Sequence, residues 1–177
     1  SYLTDSASTV AADVFSTIMR LNSSKFQPAL VDKGLATNTS FGYTTCKYVG
    51  PIDIFVNPNP NKLKECYAEL MNQISQFAKP DYFTDEQLKD AKAIMIRNSV
   101  HRKEKPSTLA SQASYQWCST SLNFYTDLDD NYQKVTREDI IRYINKYISG
   151  KPMVAGLIIK PELSKQLNAA SFFAAAK

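Results

Sequence analysis

The fold class is decided by LATNTSFGYTTCKYVGPIDIFV, residues 35–56. From Leu35 to Thr45, every second residue belongs to one face, and Ile52, Ile54 and Val56 continue the same alternation. A period of two that is rich in Thr and aromatic residues predicts β-strands. Because Gly50-Pro51 lies between the two runs, we expect an antiparallel hairpin across 47–50.

Helical periodicity flanks this hairpin on both sides. After Asn61, the most regular stripe places apolar residues at the spacing of one helix face, which predicts a helix whose stripe is core: Leu63, Cys66, Tyr67, Leu70, Met71, Ile74 and Phe77. We also expect helices over 6–21, over 84–104 from a capping box at Thr84, and over 137–148 from a cap at Thr136.

Shorter segments complete the pattern. Residues 25–31 predict a short helix ending before Gly34, and Ser107 opens another in which Trp117 is expected to be a core anchor. The acidic stretch 126–134 predicts a solvated loop. It lacks the central Gly of a calcium-binding loop.

The last apolar run is Met153–Ile159, which follows Gly150 and Pro152 and predicts a strand that returns to the sheet. A short helix is expected from Pro161. Helices, a hairpin, consecutive helices and a returning strand together predict an α+β fold with helices on one face of a mostly antiparallel sheet.

Composition limits the class of protein. With 177 residues, 44% hydrophobic and only five Gly, the chain has the size and apolar content of one globular domain. Its 21 basic residues are interleaved with 17 acidic ones, so a basic nucleic-acid-binding module is disfavoured. The apolar runs are too short for a membrane span.

Catalytic patterns fail in this sequence. His101 is the single histidine, and HRKEK at 101–105 has Lys105 where the zinc motif HxxEH has its second histidine. The three cysteines, Cys46, Cys66 and Cys118, are far apart and are expected to be buried small hydrophobes. Without a GxSxG elbow or a Gly-rich phosphate loop, we predict no catalytic residue and no metal ligand in this chain.

Five motifs in order cover nearly the whole chain. They are AADVF at 11–15, SKFQPALVDKGLA at 24–36, VGPI at 49–52, YFTDEQL at 82–88 with Ala91-Lys92, and VTREDI at 135–140 leading through KYI at 146–148 to Gly150-Lys151-Pro152. Together they resemble the second, non-zinc domain of the M16 metallopeptidases, the pitrilysin and insulinase family.

The resemblance implies a two-layer sandwich of the LuxS/MPP-like metallohydrolase fold, with residues 1–177 forming one inactive, C-terminal-type domain of a longer chain. In that family, paired domains form half-shells that enclose a peptide substrate. The zinc lies in the partner domain that carries HxxEH, in the same chain or in another subunit. The family's domain usually opens with a β-strand, which would lie upstream of Ser1. The resemblance leans towards the bacterial cell envelope.

Two points qualify what the resemblance transfers. Some non-zinc domains of the family hold substrate through an Arg and a Tyr, but the corresponding positions here are Val31 or Asp32 and Thr37. We therefore assign no substrate-binding residue. The alternative function is an interaction or scaffold protein descended from M16 peptidases, whose parent has no proteolytic activity.

Overall fold

The computed structural model describes residues 1–167 and 172–173, and it combines one β-hairpin with helices. The elements in chain order are α1 Ser6–Met19, a π-helical turn Pro28–Asp32, β1 Ala36–Tyr43, β2 Ile52–Pro58, a 3-10 turn Pro60–Lys62, α2 Leu63–Gln76, α3 Asp85–Lys103, α4 Pro106–Ser119, α5 Leu122–Thr126, α6 Leu128–Lys134, α7 Arg137–Tyr147 and α8 Pro161–Leu167.

The predicted hairpin is confirmed. β1 and β2 pair antiparallel, with Phe41 opposite Ile54 and Tyr43 opposite Ile52, and the register shifts between Ala36 and Asn38. These two strands make up the sheet found in the described residues. The fold is therefore α+β in the broad sense, with helices in the majority.

Side-chain caps define the predicted helix starts. At α3, the Gln87 backbone N–H donates to Thr84 Oγ1 at 3.1 Å, and the Thr84 N–H donates to Gln87 Oε1 at 2.8 Å. Thr136 and Asp139 make the same reciprocal pair at α7. Each pair satisfies two backbone donors that a helix start leaves free. At Gly34 and Gly150, the two predicted stop signals, φ is 64° and 67°.

The core is centred on α1, whose Phe15 side chain is fully buried. Its ring centroid lies 5.2 Å from that of Phe41 on β1, 5.5 Å from that of Phe77 after α2 and 6.5 Å from that of Tyr143 on α7. Phe83, which precedes α3, is 6.4 Å away. One aromatic side chain on α1 therefore lies against β1, α7 and the ends of α2 and α3.

A polar contact joins the start of α1 to the end of α7. Asp5 caps α1 by accepting from the Ser8 N–H at 3.1 Å, and its Oδ2 accepts from Lys146 Nζ at 2.6 Å and Tyr147 Oη at 3.0 Å. Partial burial opposes ionisation of Asp5, but these hydrogen bonds outweigh it and hold its pKa well below the ordinary value. The charged form of Asp5 therefore stabilises the contact between α1 and α7.

The predicted strand at Met153–Ile159 is wrong, because the structure has no strand there. The segment lies between α7 and α8 without regular secondary structure, and the side chains of Val154 and Ile158 are 102% and 101% exposed. A strand needs hydrogen-bonding partners on a neighbouring strand, and these residues find none in the described part of the chain.

Three predictions about the helical region are also wrong. Trp117 is 71% exposed and Cys118 is exposed, so neither is a core residue, and Gln116 is the buried residue of α4. Residues 128–134 form a helix, not a loop, because Asp129 and Asp130 lie in its first turn, where negative charge favours the helix dipole. Buried Tyr132 attaches that helix to α1.

None of the helices in the described ranges combines the length and hydropathy needed to cross a bilayer.

Replacing Phe15 with Ala should remove the side chain that joins α1, β1 and α7. We expect the free energy of unfolding to fall by about 3–5 kcal/mol, which is the usual cost of deleting a fully buried aromatic ring. Urea unfolding followed by circular dichroism measures this. Phe55→Ala is the matched control because Phe55 is 72% exposed, and its effect should stay within about 0.5 kcal/mol. Equal losses for the two variants would contradict this view of the core.

Replacing Asp5 with Asn should cost up to about 1 kcal/mol at neutral pH, because Asn still caps the helix but the ionic contact with Lys146 is lost. A carboxyl whose pKa is lowered by folding stabilises the protein above its ordinary pKa of 3.8, and this contribution is lost as the pH falls further. Unfolding midpoints of the variant and the wild type should therefore converge in acid. Asp90→Asn, at an exposed position of α3, should show no such convergence.

Candidate functional site

A large concave feature of the described structure is an apolar groove of about 1180 Å³. It is lined by β2, by residues of α2, by residues 151–158, and by Phe172 and Phe173. We call it the β2 groove. Sequence reasoning missed it, because the apolar stripe of α2 was assigned wholly to the core.

The stripe of α2 serves both the core and the groove. Cys66 and Ile74 are buried, and Leu70 and Met71 are half-buried, but all four line the β2 groove. The fully buried Phe77, which follows α2, does not line it. The sequence periodicity could not distinguish core positions from groove positions, because apolar side chains line both a core and an apolar groove.

Three aromatic rings pack together in the lining of the groove. The Tyr67 ring lies 5.7 Å from that of Phe172 and 5.4 Å from that of Phe173, both in edge-to-face contact. Such rings offer large apolar surface with few rotatable bonds. They therefore add to the apolar character of the groove.

The chemistry of the β2 groove is that of a binding surface. Among its described lining residues, only Asp53 and Lys151 carry a charge at neutral pH. Burial raises the pKa of the Cys66 thiol, so the thiol stays protonated and is a poor nucleophile. The groove therefore suits an apolar ligand and offers little for acid–base catalysis.

The HRKEK string closes α3 and is directed to solvent. The side chains of His101 and Glu104 are 65% and 64% exposed, with Nδ1 and Oε2 3.5 Å apart. Lys103 Nζ instead donates to Asp129 Oδ2 on α6 at 2.6 Å, and Ser99 Oγ donates to the same oxygen at 3.0 Å. The string acts as a contact between helices.

The described side chains that could ligate a metal ion are also dispersed. Within residues 1–167 and 172–173, no three His, Cys, Asp or Glu side chains lie close enough together to hold a metal ion.

Val31, Asp32 and Thr37, at which the sequence assigned no substrate contact, lie just before β1 and at its start. Val31 and Asp32 end the π-helical turn, and Thr37 lies at the irregular step of β1, where its Oγ1 donates to the Asn57 carbonyl at 3.3 Å. Asp32 and Thr37 are exposed. Neither Asp32 nor Thr37 lines the β2 groove.

A second polar feature lies between α1 and α6, away from the groove. Tyr132 Oη donates to Asp13 Oδ2 at 3.1 Å, and the Thr45 hydroxyl also bonds this carboxyl. Desolvation raises the pKa of Asp13 to about 7, against the opposing effect of the Tyr132 hydrogen bond and of Arg20. Asp13 therefore titrates near neutral pH.

Tyrosines surround this carboxyl. Tyr43 Oη lies 3.1 Å from Thr9 Oγ1, whereas the buried Tyr143 Oη has no hydrogen-bond partner in the described structure. Burial raises the pKa of Tyr132 and of Tyr143 well above the ordinary value, so both phenols stay neutral. The group packs α1 against α6 and α7 and presents no cleft to a substrate.

Replacing Asp13 with Asn should change how stability depends on pH. A carboxyl whose pKa is raised by folding binds its proton more tightly in the native state, so wild-type stability should fall as the pH rises from about 4 to about 7. Asp13→Asn should remove this fall and leave the variant about 1–2 kcal/mol more stable than the wild type at pH 8. Urea unfolding at pH 5 and pH 8 tests it. Glu86→Gln, at an exposed position, is the control, and identical pH dependence in Asp13→Asn and wild type would contradict the interpretation.

Comparison with known proteins identifies a shared fold. No protein-family model matches the chain, and no curated protein matches it. A solved structure described as a protease from Helicobacter pylori matches 79% of the chain with a TM-score of 0.68 and 23% sequence identity. The match covers 34% of that protease, so the chain spans about a third of its length. The fold described above is therefore shared with one part of a larger bacterial protease.

Proposed function

We propose that this chain is the non-catalytic domain of an M16-type zinc metalloendopeptidase, helping to enclose a peptide and packing against a domain that carries HxxEH. The observation that carries the proposal is the fold shared with part of a protease over 79% of the chain. The five ordered sequence motifs point to the same family and to its non-zinc domain.

The residues of this chain support assigning zinc binding to a partner domain. HRKEK has a Lys at the second metal-binding position, and a protonated ammonium repels a metal ion. In the structure, the string contacts α6 through Lys103 and is otherwise exposed. Zinc, and the acid–base chemistry it supports, would belong to the partner domain.

The architecture that we propose is the two-layer form of the family, with residues 1–177 forming one domain. Its helical layer would be α1, α3, α6 and α7 packed on one face of the sheet, as Phe15 and Tyr143 pack on Phe41 and Tyr43 here. The opposite face would contribute to the wall of the peptide chamber.

A scaffold role is the second candidate. Exposed apolar side chains outside the β2 groove support it, because Trp117, Tyr48 and Val49 are 71%, 74% and 64% exposed. Such residues are frequent in protein interfaces. A scaffold descended from peptidases would keep these contacts without any catalytic partner.

The parent reading frame and its neighbouring genes distinguish the two functions. We expect one of them to encode HxxEH with a downstream Glu. Co-expressed with this chain, that domain should hydrolyse quenched fluorogenic peptides, and omitting the chain should abolish the activity. His101→Gln in this chain is the matched control and should leave the rate within about twofold, because His101 has no catalytic role in the proposal.

Two results would contradict the peptidase proposal. Stoichiometric, tightly bound zinc on this purified chain alone, measured by elemental analysis, would place the metal on the wrong domain. Absence of HxxEH from both the parent reading frame and its neighbours would favour the scaffold function.

A further inference from the structure

The α4 helix turns polar side chains towards the protein. Gln116 is buried, and its backbone carbonyl and its Oε1 both accept from Thr120 Oγ1, at 2.9 Å and 2.8 Å. Thr108 and Gln112 lie on the same side of the helix and are half-buried. A helix packed on a globular core usually buries its apolar residues instead. The amphipathic pattern of α4 is therefore reversed.

The apolar side chains of α4 lie on a different and mostly exposed face. They recur at i, i+3, i+4, i+7 and i+11, which places them along one side of the helix: Pro106, Leu109, Ala110, Ala113 and Trp117. Leu109 and Trp117 are 38% and 71% exposed, and Ala113, between them in sequence, is half-buried. We call these residues the α4 stripe. Its core-like spacing on an exposed face marks an interaction surface.

The α4 stripe lies on a helix without charged residues. Of the residues in the chain, 21% are charged, yet α4 has no Lys, Arg, Asp or Glu among its 14 residues. In a two-fold interface both copies use the same patch, so a charge near the axis would face the same charge on the other copy. An uncharged face is therefore suited to pairing with itself.

The α4 stripe is also symmetric about Ala113. Leu109 precedes Ala113 by one turn and Trp117 follows it by one turn, so each lies about 6 Å from Ala113 along the helix axis. In an antiparallel pair of α4 helices centred on Ala113, Leu109 of each copy meets Trp117 of the other. The small side chain of Ala113 at the centre allows the helix axes to approach to roughly 8 Å. The shape of the stripe is thus complementary to itself.

The ends of two such helices are complementary in charge. Lys105, which precedes α4, is exposed. Antiparallel pairing places it beside the last turn of α4 in the second copy, where the backbone carbonyls carry a partial negative charge. A cation near the C-terminus of a helix is stabilising, and two-fold symmetry makes this contact twice.

From these observations we infer that two copies of this chain associate through the α4 stripe, as a two-fold dimer in which the α4 helices lie antiparallel and cross near Ala113. A helix of 14 residues is only about 21 Å long. Because one such contact buries less than the roughly 800 Å² per partner of a standard interface, we expect a reversible dimer with a Kd of about 10–100 μM. The inference goes beyond the proposed peptidase function and does not rest on it, because the dimer requires no catalytic domain.

Other occupants of the α4 stripe fit less well. A helix that lies on a membrane surface carries Lys and Arg along its polar side. α4 has serines there instead: Ser107, Ser111 and Ser114. A partner of unrelated sequence would not require the symmetry about Ala113. A second copy accounts both for the symmetry and for the absence of charge.

The first test uses Trp117 as the probe, because it is the single tryptophan of the chain. The whole chain is diluted from about 500 μM to about 1 μM, a range that spans the expected Kd. Sedimentation velocity should show dimers dissociating, and the tryptophan emission should move to longer wavelength over the same range as Trp117 becomes hydrated. A monomer at every concentration, or a dimer whose dissociation leaves the emission unchanged, would overturn the inference. An emission shift seen only with phosphatidylglycerol vesicles would assign the stripe to lipid and overturn it as well.

The second test places charges at the centre of the pair. Ala113→Glu and Ala113→Lys should each weaken dimerisation by about tenfold or more, because each new charge faces the same charge on the other copy. Mixing the two variants should restore dimers, since opposite charges then face one another. Ser114→Glu is the matched control, because it adds the same charge on the exposed serine side of α4, and its Kd should stay within about threefold of the wild type.

Trp117→Ala keeps the inference testable if a charge at the half-buried Ala113 unfolds the chain. Because Trp117 is 71% exposed, this variant should keep the unfolding midpoint of the wild type while its dimer affinity falls by about tenfold or more. Wild-type dimerisation of Trp117→Ala would overturn the inference. So would the failure of folded Ala113→Glu and Ala113→Lys to pair with each other when mixed.

Discussion

The packing of Phe15 is the interaction on which the rest of the structure depends. A 14-residue amphipathic helix is only marginally stable alone in water, and a two-stranded hairpin is no better. Packing of the Phe15 ring stabilises both the helix and the hairpin. The ring lies against Phe41 on the hairpin, Phe77 after α2 and Tyr143 on α7. α1 is therefore the element around which the others assemble.

Polar contacts fix the geometry that this apolar core permits. Arg137, at the start of α7, donates to the Phe83 carbonyl and to Asp85 Oδ1, both at 2.6 Å, and its guanidinium lies 4.5 Å from the Phe83 ring centroid. At the other end of α7, Lys146 Nζ donates to Asp5 Oδ2, which joins α7 to the start of α1. Burial of an aromatic core has no direction, so these directional bonds set how α7 lies on α1 and α3.

Sequence reasoning succeeded where the determining signal is local. The hairpin, α2, the capping box at Thr84 and the cap at Thr136 follow from residues within a few positions of one another, such as Thr84 with Gln87. It failed where the outcome depends on a distant partner. A stripe containing Trp117 predicts a helix face but not whether anything covers that face. Residues 128–134 are helical, and their contact with α1 is made by Tyr132, which donates to the distant Asp13. The β2 groove could not be predicted for the same reason.

The same distinction explains why 153–159 has a strand's composition without a strand's structure. Backbone pairing needs two edges, and β-branched composition supplies only one of them. β2 supplies another edge, but within the described residues β2 pairs with β1 and no backbone hydrogen bond joins it to 153–159. The hydrophobic pattern of this chain thus fits a wider sheet than the two strands it forms here.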